Sequence, residues 1–265
     1  MSAPDIGLAN WFLQRALRTP ERAALAFEGE TWSYAQVQQR IEQLADRLHG
    51  LGVRRGDRVA FLGLNQPMFL FALFSSARLG AIFVPLNFRL TGPEVAANVG
   101  DADVSVLIAD AQHRPLIDGV RADLRSVRHF LSEDETDGWR SADNGQRAAS
   151  DRHPMPFHIG QGDRGVEATM QQNQSALLQS HQRDDVEAAY VELTHGNLWW
   201  NNTNAMHNID VLADDVTLAA APLFRRCSAC RRCCSSWPSI RASQTPTCRA
   251  CAWCSAAERR APSRY

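Results

Sequence analysis

Lysine is missing from this chain of 265 residues; all 28 basic side chains are arginine. That excludes any phosphate site built around a lysine ammonium, the usual point charge for a polyanion. Cysteine is missing from everything up to Phe224, and all seven cysteines fall in the last 41 residues. The body of the chain therefore offers no disulfide framework and no thiolate ligands, a composition that suits a cytosolic protein as well as any other. The start, MSAPDIGLANWF, lacks a charged stretch followed by an apolar core, so no signal peptide is expected. No uninterrupted membrane-length run is present. The most apolar stretch, Met68 to Leu86, carries Arg78 at its centre and is broken by Gly80 and Pro85. An arginine at mid-membrane costs about 2.5–3.5 kcal/mol, so a buried helix followed by a buried strand is the better reading. The GxSxG elbow of serine hydrolases and the HExxH of zinc proteases are also absent.

Charge is present but unevenly placed. Residues 1–224 hold 19 arginines against 28 acids, a net of −9, whereas residues 225–265 hold nine arginines against Glu258, a net of +8. Such a split marks either a basic nucleic-acid-binding tail or a segment of foreign origin.

The pattern over residues 8–132 alternates helix and strand. Leu8–Arg18 repeats apolar residues at helical spacing and stops at Thr19-Pro20. Ala23–Phe27 reads as a strand, Gly29-Glu30 as a turn and Thr31–Ser33 as the return. Ser33 then caps a helix from Tyr34 to Leu51 with Val37, Ile41, Leu44, Ala45 and Leu48 on one face. Val59–Leu62 is a continuous apolar run, as in a parallel strand covered on both faces. Pro67 opens a helix over Met68–Leu79, Gly80 ends it, and Ala81–Val84 is the next strand, so strand, helix and strand make a βαβ unit. Thr91-Gly92-Pro93-Glu94 starts another helix; Val104–Ile108 and Val127–Leu131 read as strands. Residues 133–190, rich in Asp, Gln, Arg and Ser, show no strand of useful length and have the composition of a linker or disordered insert. The earlier pattern returns in VELTHGNLWWNNTNAMHNI as a capped helix and in Asp214–Phe224 as a buried strand. From Arg225 the chain is Arg, Cys, Ser, Ala and Pro without period, and disorder is expected there too.

These ordered segments resemble the adenylate-forming (AMP-binding) acyl-CoA synthetases. Tyr34, Gly52, Gly56-Asp57-Arg58-Val59, Asn65, Gly80 and Pro85-Leu86-Asn87 stand at that family's spacing. Leu193–Asn202 (LTHGNLWWNN) is similar to the segment after its phosphate loop, and Ala221-Pro222-Leu223-Phe224 to its next strand end. The resemblance covers about residues 8–132 and 191–224. It implies an α/β fold, part of the N-terminal domain of the adenylate-forming enzymes, built from parallel βαβ units and carrying a disordered insert and tail. It divides the chain into 1–132, an aberrant 133–190 in place of the phosphate loop, a continuation over 191–224 and the basic tail 225–265. It implies ATP, Mg2+ and CoA as cofactors and a small carboxylic or fatty acid as substrate. A cytoplasmic location, no transmembrane segment and no specific nucleic acid are expected as well. In the family, a Ser/Thr/Gly-rich loop ending in Pro-Lys-Gly holds the triphosphate through backbone N–H groups and a lysine. The corresponding positions before Val191 read SHQRDDVEAAY, without glycine, threonine or lysine. Arg225 stands where the family has histidine. No catalytic residue carries over; by position, Thr194 and His195 are the cofactor-binding candidates, although ordering the following helix, with Thr194 as its cap, is the favoured role. The expectation is an inactive, frame-disrupted fragment of such an enzyme, with one frame change inside 133–190 and another at Arg225.

Two competing motifs give the alternatives. Gly160-Gln161-Gly162-Asp163-Arg164-Gly165 matches a dinucleotide fingerprint, with Asp184 about twenty residues on, but MPFHI is too short and proline-bounded to be the strand before it. Cys227, Cys230, Cys248 and Cys251 form two CxxC pairs at zinc-site spacing. Beside the ligase reading these leave a non-catalytic binding module of an intact relative, or a zinc- or nucleic-acid-binding protein acting through its tail.

Overall fold

The computed structural model describes residues 7–142, 175–183, 186–198, 202–203, 217–218 and 229–230. The fold is α/β. The chain divides into two units, Met1–Trp200 and Asn201–Tyr265. In the second, β10 (Thr217–Leu218) pairs antiparallel with β11 (Ala229–Cys230).

The first unit opens with α1 (Leu8–Arg18) and a hairpin of β1 (Ala23–Phe27) and β2 (Glu30–Ser33). Phe27 pairs with Glu30, so the turn is Glu28-Gly29, one residue earlier than the sequence suggests. Both turn residues have positive φ, 48° and 87°, as a two-residue hairpin matched to strand twist requires. Next come α2 (Tyr34–Gly50), β3 (Arg58–Leu62), α3 (Pro67–Leu79), β4 (Ile82–Leu86), α4 (Gly92–Asp101) and β5 (Val104–Ala109). The unit is completed by α5 (Arg114–Val120), β6 (His129–Ser132), β7 (Arg140–Ser141), β8 (Ser175–Arg183) and β9 (Val186–Thr194).

Local chemistry explains the helices. Ser33 accepts the amide of Gln36, and the Gln36 side chain accepts the amide of Ser33, closing a capping box on α2. The five residues on its apolar face are all buried. Pro67 stands at the start of α3, and Gly80 ends it in the left-handed conformation at φ 67°.

Seven strands form one sheet in the order β7-β6-β5-β3-β4-β8-β9. Every neighbouring pair is parallel except β8 with β9. Side chains alternate between the two faces. One face carries Ala60, Leu62, Val84, Leu86, Leu107 and Ala109, packed with Val95 and Val99 of α4 and Ile117 of α5. On the other, Phe69 of α3 meets Phe61 and Phe83 edge-on at 5.5 and 5.1 Å. Ser75 ties α3 to α2 through the Ile41 carbonyl at 2.8 Å. Helices thus cover both faces, which is why these strands read as unbroken apolar runs. Among the described residues no helix is long and apolar enough to cross a membrane. Arg78, within the most apolar stretch, pairs with Glu42 of α2.

The structure corrects the reading of residues 133–194. β7, β8 and most of β9 lie inside the segment expected to lack strands, and Val191–Thr194 ends β9 instead of opening a helix; the helical residues begin at His195. The reason is tertiary: strand propensity depends on context, and pairing with β4 and with each other supplies the ladder for β8 and β9. The dinucleotide-like glycines 160, 162 and 165 lie outside the described residues, as do Cys227, Cys248 and Cys251.

Candidate functional site

Ligands of open parallel sheets bind beyond the carboxyl ends of the strands. Here β3, β5 and β6 run to that edge, where a cavity of about 760 Å³ opens. Trp32 of β2, Arg40 of α2, Leu64 and Gln66 after β3, Asp110 after β5 and Glu133 after β6 contribute to its lining.

Asp110 organises the edge. It is buried; one carboxylate oxygen accepts the Leu64 amide at 2.9 Å, and the other accepts the His113 amide at 2.9 Å and faces His113 Nδ1 at 2.6 Å. A side chain at Gly63 would place Cβ 2.7 Å from Asp110 Oδ2, so the loop after β3 needs glycine to approach this closely. Partial burial raises the Glu133 carboxyl above its ordinary value, and Asp134, Asp110 and Glu28 push it the same way. Glu28 and Glu30 line the same cavity. Four carboxylates against Arg40 make a negative lining, and a triphosphate does not fit it. Among the described residues no cluster of three or more His, Cys, Asp or Glu is arranged to hold a metal ion.

The second feature of this edge is the β8–β9 hairpin. Because β8 is parallel to β4, it ends at Arg183 on the carboxyl side and β9 leaves from there at Val186. The sequence SHQRDDVEAAY, at the positions expected for a phosphate loop, spans this turn. β9 then runs nine residues to the amino edge, so the two cofactor candidates, Thr194 and His195, lie at the end of the strand remote from the turn.

Both make internal hydrogen bonds. Thr194 Oγ1 accepts the Asn197 amide at 3.1 Å and donates to Asn197 Oδ1 at 2.9 Å, while the Thr194 amide donates to the same oxygen at 3.0 Å. This reciprocal cap starts the helical residues that follow. His195 is 1% exposed, and its Nδ1 accepts the Leu8 amide at 3.1 Å. Burial pushes its pKa down to about 4, so at neutral pH the ring is uncharged, with its proton on Nε2. The Asp110–His113 pair and the cavity went unseen in the sequence; the available signal was Asp110 directly after a buried strand, where edge chemistry collects.

An AMP-binding enzyme family matches residues 12–179. The chain is 34% identical over 218 residues to a feruloyl-CoA synthase of Amycolatopsis, and 32% over 218 residues to an indoleacetate–CoA ligase of Aromatoleum aromaticum. In both cases 82% of this chain is covered, but it spans only 39% and 40% of the relatives' own lengths. Among solved structures it is similar to the inhibitor-bound N-terminal domain of FACL13 from Mycobacterium tuberculosis, with TM-score 0.66 and 26% identity over 82% of this chain and 52% of that one. The apo structure of MbtA from Mycobacterium smegmatis shares the fold, with TM-score 0.70 and 24% identity over 83% and 40% of the two chains. The parallel sheet with helices on both faces and the matched sequence agree, and the chain belongs to the AMP-binding enzyme family.

Proposed function

We propose that this chain carries the N-terminal scaffold of an ATP-dependent ligase that turns a carboxylic acid into its CoA thioester through an acyl-adenylate, and that the chain by itself does not catalyse adenylation. Family membership and relatives named for CoA ligation support the first half. Two of those relatives are named for ferulate and indoleacetate, so aromatic acids join fatty acids as candidate substrates. ATP, Mg2+ and CoA belong to this reading as the ligase's cofactors, and the cytoplasm as its location.

One observation carries the second half: where the family's phosphate loop is expected, Ser180–Tyr190 offers no glycine, threonine or lysine, and sets Asp184, Asp185 and Glu187 there instead. Each carboxylate about 4 Å from a phosphate oxygen repels it by roughly 1 kcal/mol even in water, and by more where water is excluded. The stretch keeps one cation, Arg183, against three acids, so the preorganised positive charge that stabilises phosphoryl transition states gives way to a net −2. The test is pyrophosphate release from the full chain with ATP, Mg2+ and CoA against ferulate, indoleacetate and fatty acids of several lengths. The expected rate is that of a protein-free blank; turnover well above it overturns the reading.

A further inference from the structure

The first amides of a helix have no partner within it. α1 has Gly7 at its N-cap and no side-chain cap, so the Leu8 amide needs an outside acceptor. It finds one 187 residues away, in the Nδ1 atom of His195, buried at the end of β9. α1 is itself held firmly: Phe12 packs on Tyr34 of α2 at 5.5 Å and on Phe74 of α3 at 5.0 Å, and the Arg15 guanidinium lies 5.4 Å from the Tyr34 ring. A continuous path therefore runs from the helices covering the sheet, through α1, to the residue that directly follows the hairpin.

The hairpin needs such a fixed point. Its register shifts twice, between Ser175 and Leu177 and between His181 and Arg183. Among the described residues β8 stands in register with β4 at one pair, Phe83 with Leu177. A slip of one residue would exchange the two faces of β9.

We propose that His195 is a register latch: by accepting the Leu8 amide, its neutral ring anchors the end of β9 to α1 and holds the β8–β9 hairpin in place. His195 is on this account a positioning residue. The inference does not depend on the proposed function, because its test reads backbone protection and not turnover.

The test exploits side-chain shape. The Asn oxygen can occupy the place of Nδ1, whereas the Gln oxygen reaches the place of Nε2. In amide hydrogen exchange of the full chain, His195→Ala and His195→Gln are expected to speed exchange at Leu8 and across Val186–Thr194 by about tenfold or more. His195→Asn is expected to stay within about threefold of the parent, with β3 and β5 unchanged in all three. Exchange in the Ala variant within twofold of the parent, or Asn no better than Gln, would overturn the latch. Should the Ala variant aggregate, 15N shifts of the parent ring decide: an unprotonated Nδ1 supports the latch and a protonated Nδ1 defeats it.

Discussion

A single buried nitrogen makes stability depend on pH in a stated direction. Burial lowers the pKa of His195 from 6.5 to about 4, so the folded chain takes up the proton less readily than the unfolded one. The contribution of the neutral ring is then complete above pH 6.5 and lost progressively as pH falls towards 4. The size of the shift corresponds to about 3 kcal/mol, as an order of magnitude. Other groups titrate in the same window, among them His129, whose pKa burial and then Arg140 lower. The comparison that isolates His195 is therefore with His195→Asn, which keeps an acceptor and cannot titrate. Urea midpoints of the two proteins are expected to lie close together at pH 7 and to diverge as pH falls towards 4, the parent dropping below the Asn variant. Parallel curves across that range would refute the assignment of a neutral, buried ring.

At the scale of the element, caps and periodicity decide how much of this fold could be read in advance. Ser33 illustrates the legible part: serine three residues before glutamine, ahead of an apolar face at helical spacing, is a start signal, and the structure closes that box with bonds of 2.8 and 3.3 Å. Ser33→Ala is expected to cost about 1 kcal/mol, measured by urea denaturation, and Ser33→Asp or Ser33→Asn to restore most of it. The buried strands from Val59 and from Val104 were legible for a similar reason, since cover on both faces leaves an apolar run. Other elements gave too little local signal. α5 spans seven residues, too few to show a period, although Pro115 marks its first turn. β7 has two residues and exists by pairing with Leu131 and Ser132. β8 contains Gln179, Ser180, His181 and Gln182 in succession, which no propensity argument makes into a strand; its place is set by β4 and β9. The site divides likewise. Thr194 as a cap is local and was readable, whereas the partner of His195 is 187 residues distant. The cavity is assembled from β2, the middle of α2, the start of α3 and the segments that follow β3, β5 and β6, which become neighbours only once the sheet has formed.

For the first unit as a whole, one sheet with helices on both faces joins local elements into a cooperative body, and β4 is where that cooperation is most exposed to test. Phe83 is fully buried at its centre. It stands in register with Val59 of β3 on one side and with Leu177 of β8 on the other, and its ring meets Phe69 of α3 edge-on. Truncating such a phenylalanine removes both its transfer free energy and the contacts that filled its space, about 3–5 kcal/mol. Because native domains are stable by roughly 5–15 kcal/mol, that is a large share of the total. Phe83→Ala is therefore expected to lower the urea midpoint sharply and to speed exchange in β3 and β4. The β8–β9 hairpin joins the sheet at its β4 edge, in register at Phe83 and Leu177, so its amides should exchange faster than those of the central strands β3–β5 already in the parent, and faster still in the variant. A conservative Phe83→Leu should retain most of the stability, which separates lost volume from lost aromatic geometry. If hairpin amides in Phe83→Ala exchanged as slowly as in the parent while β3 and β4 loosened, the hairpin would owe its order to α1 and His195 alone, and β4 would not be its support.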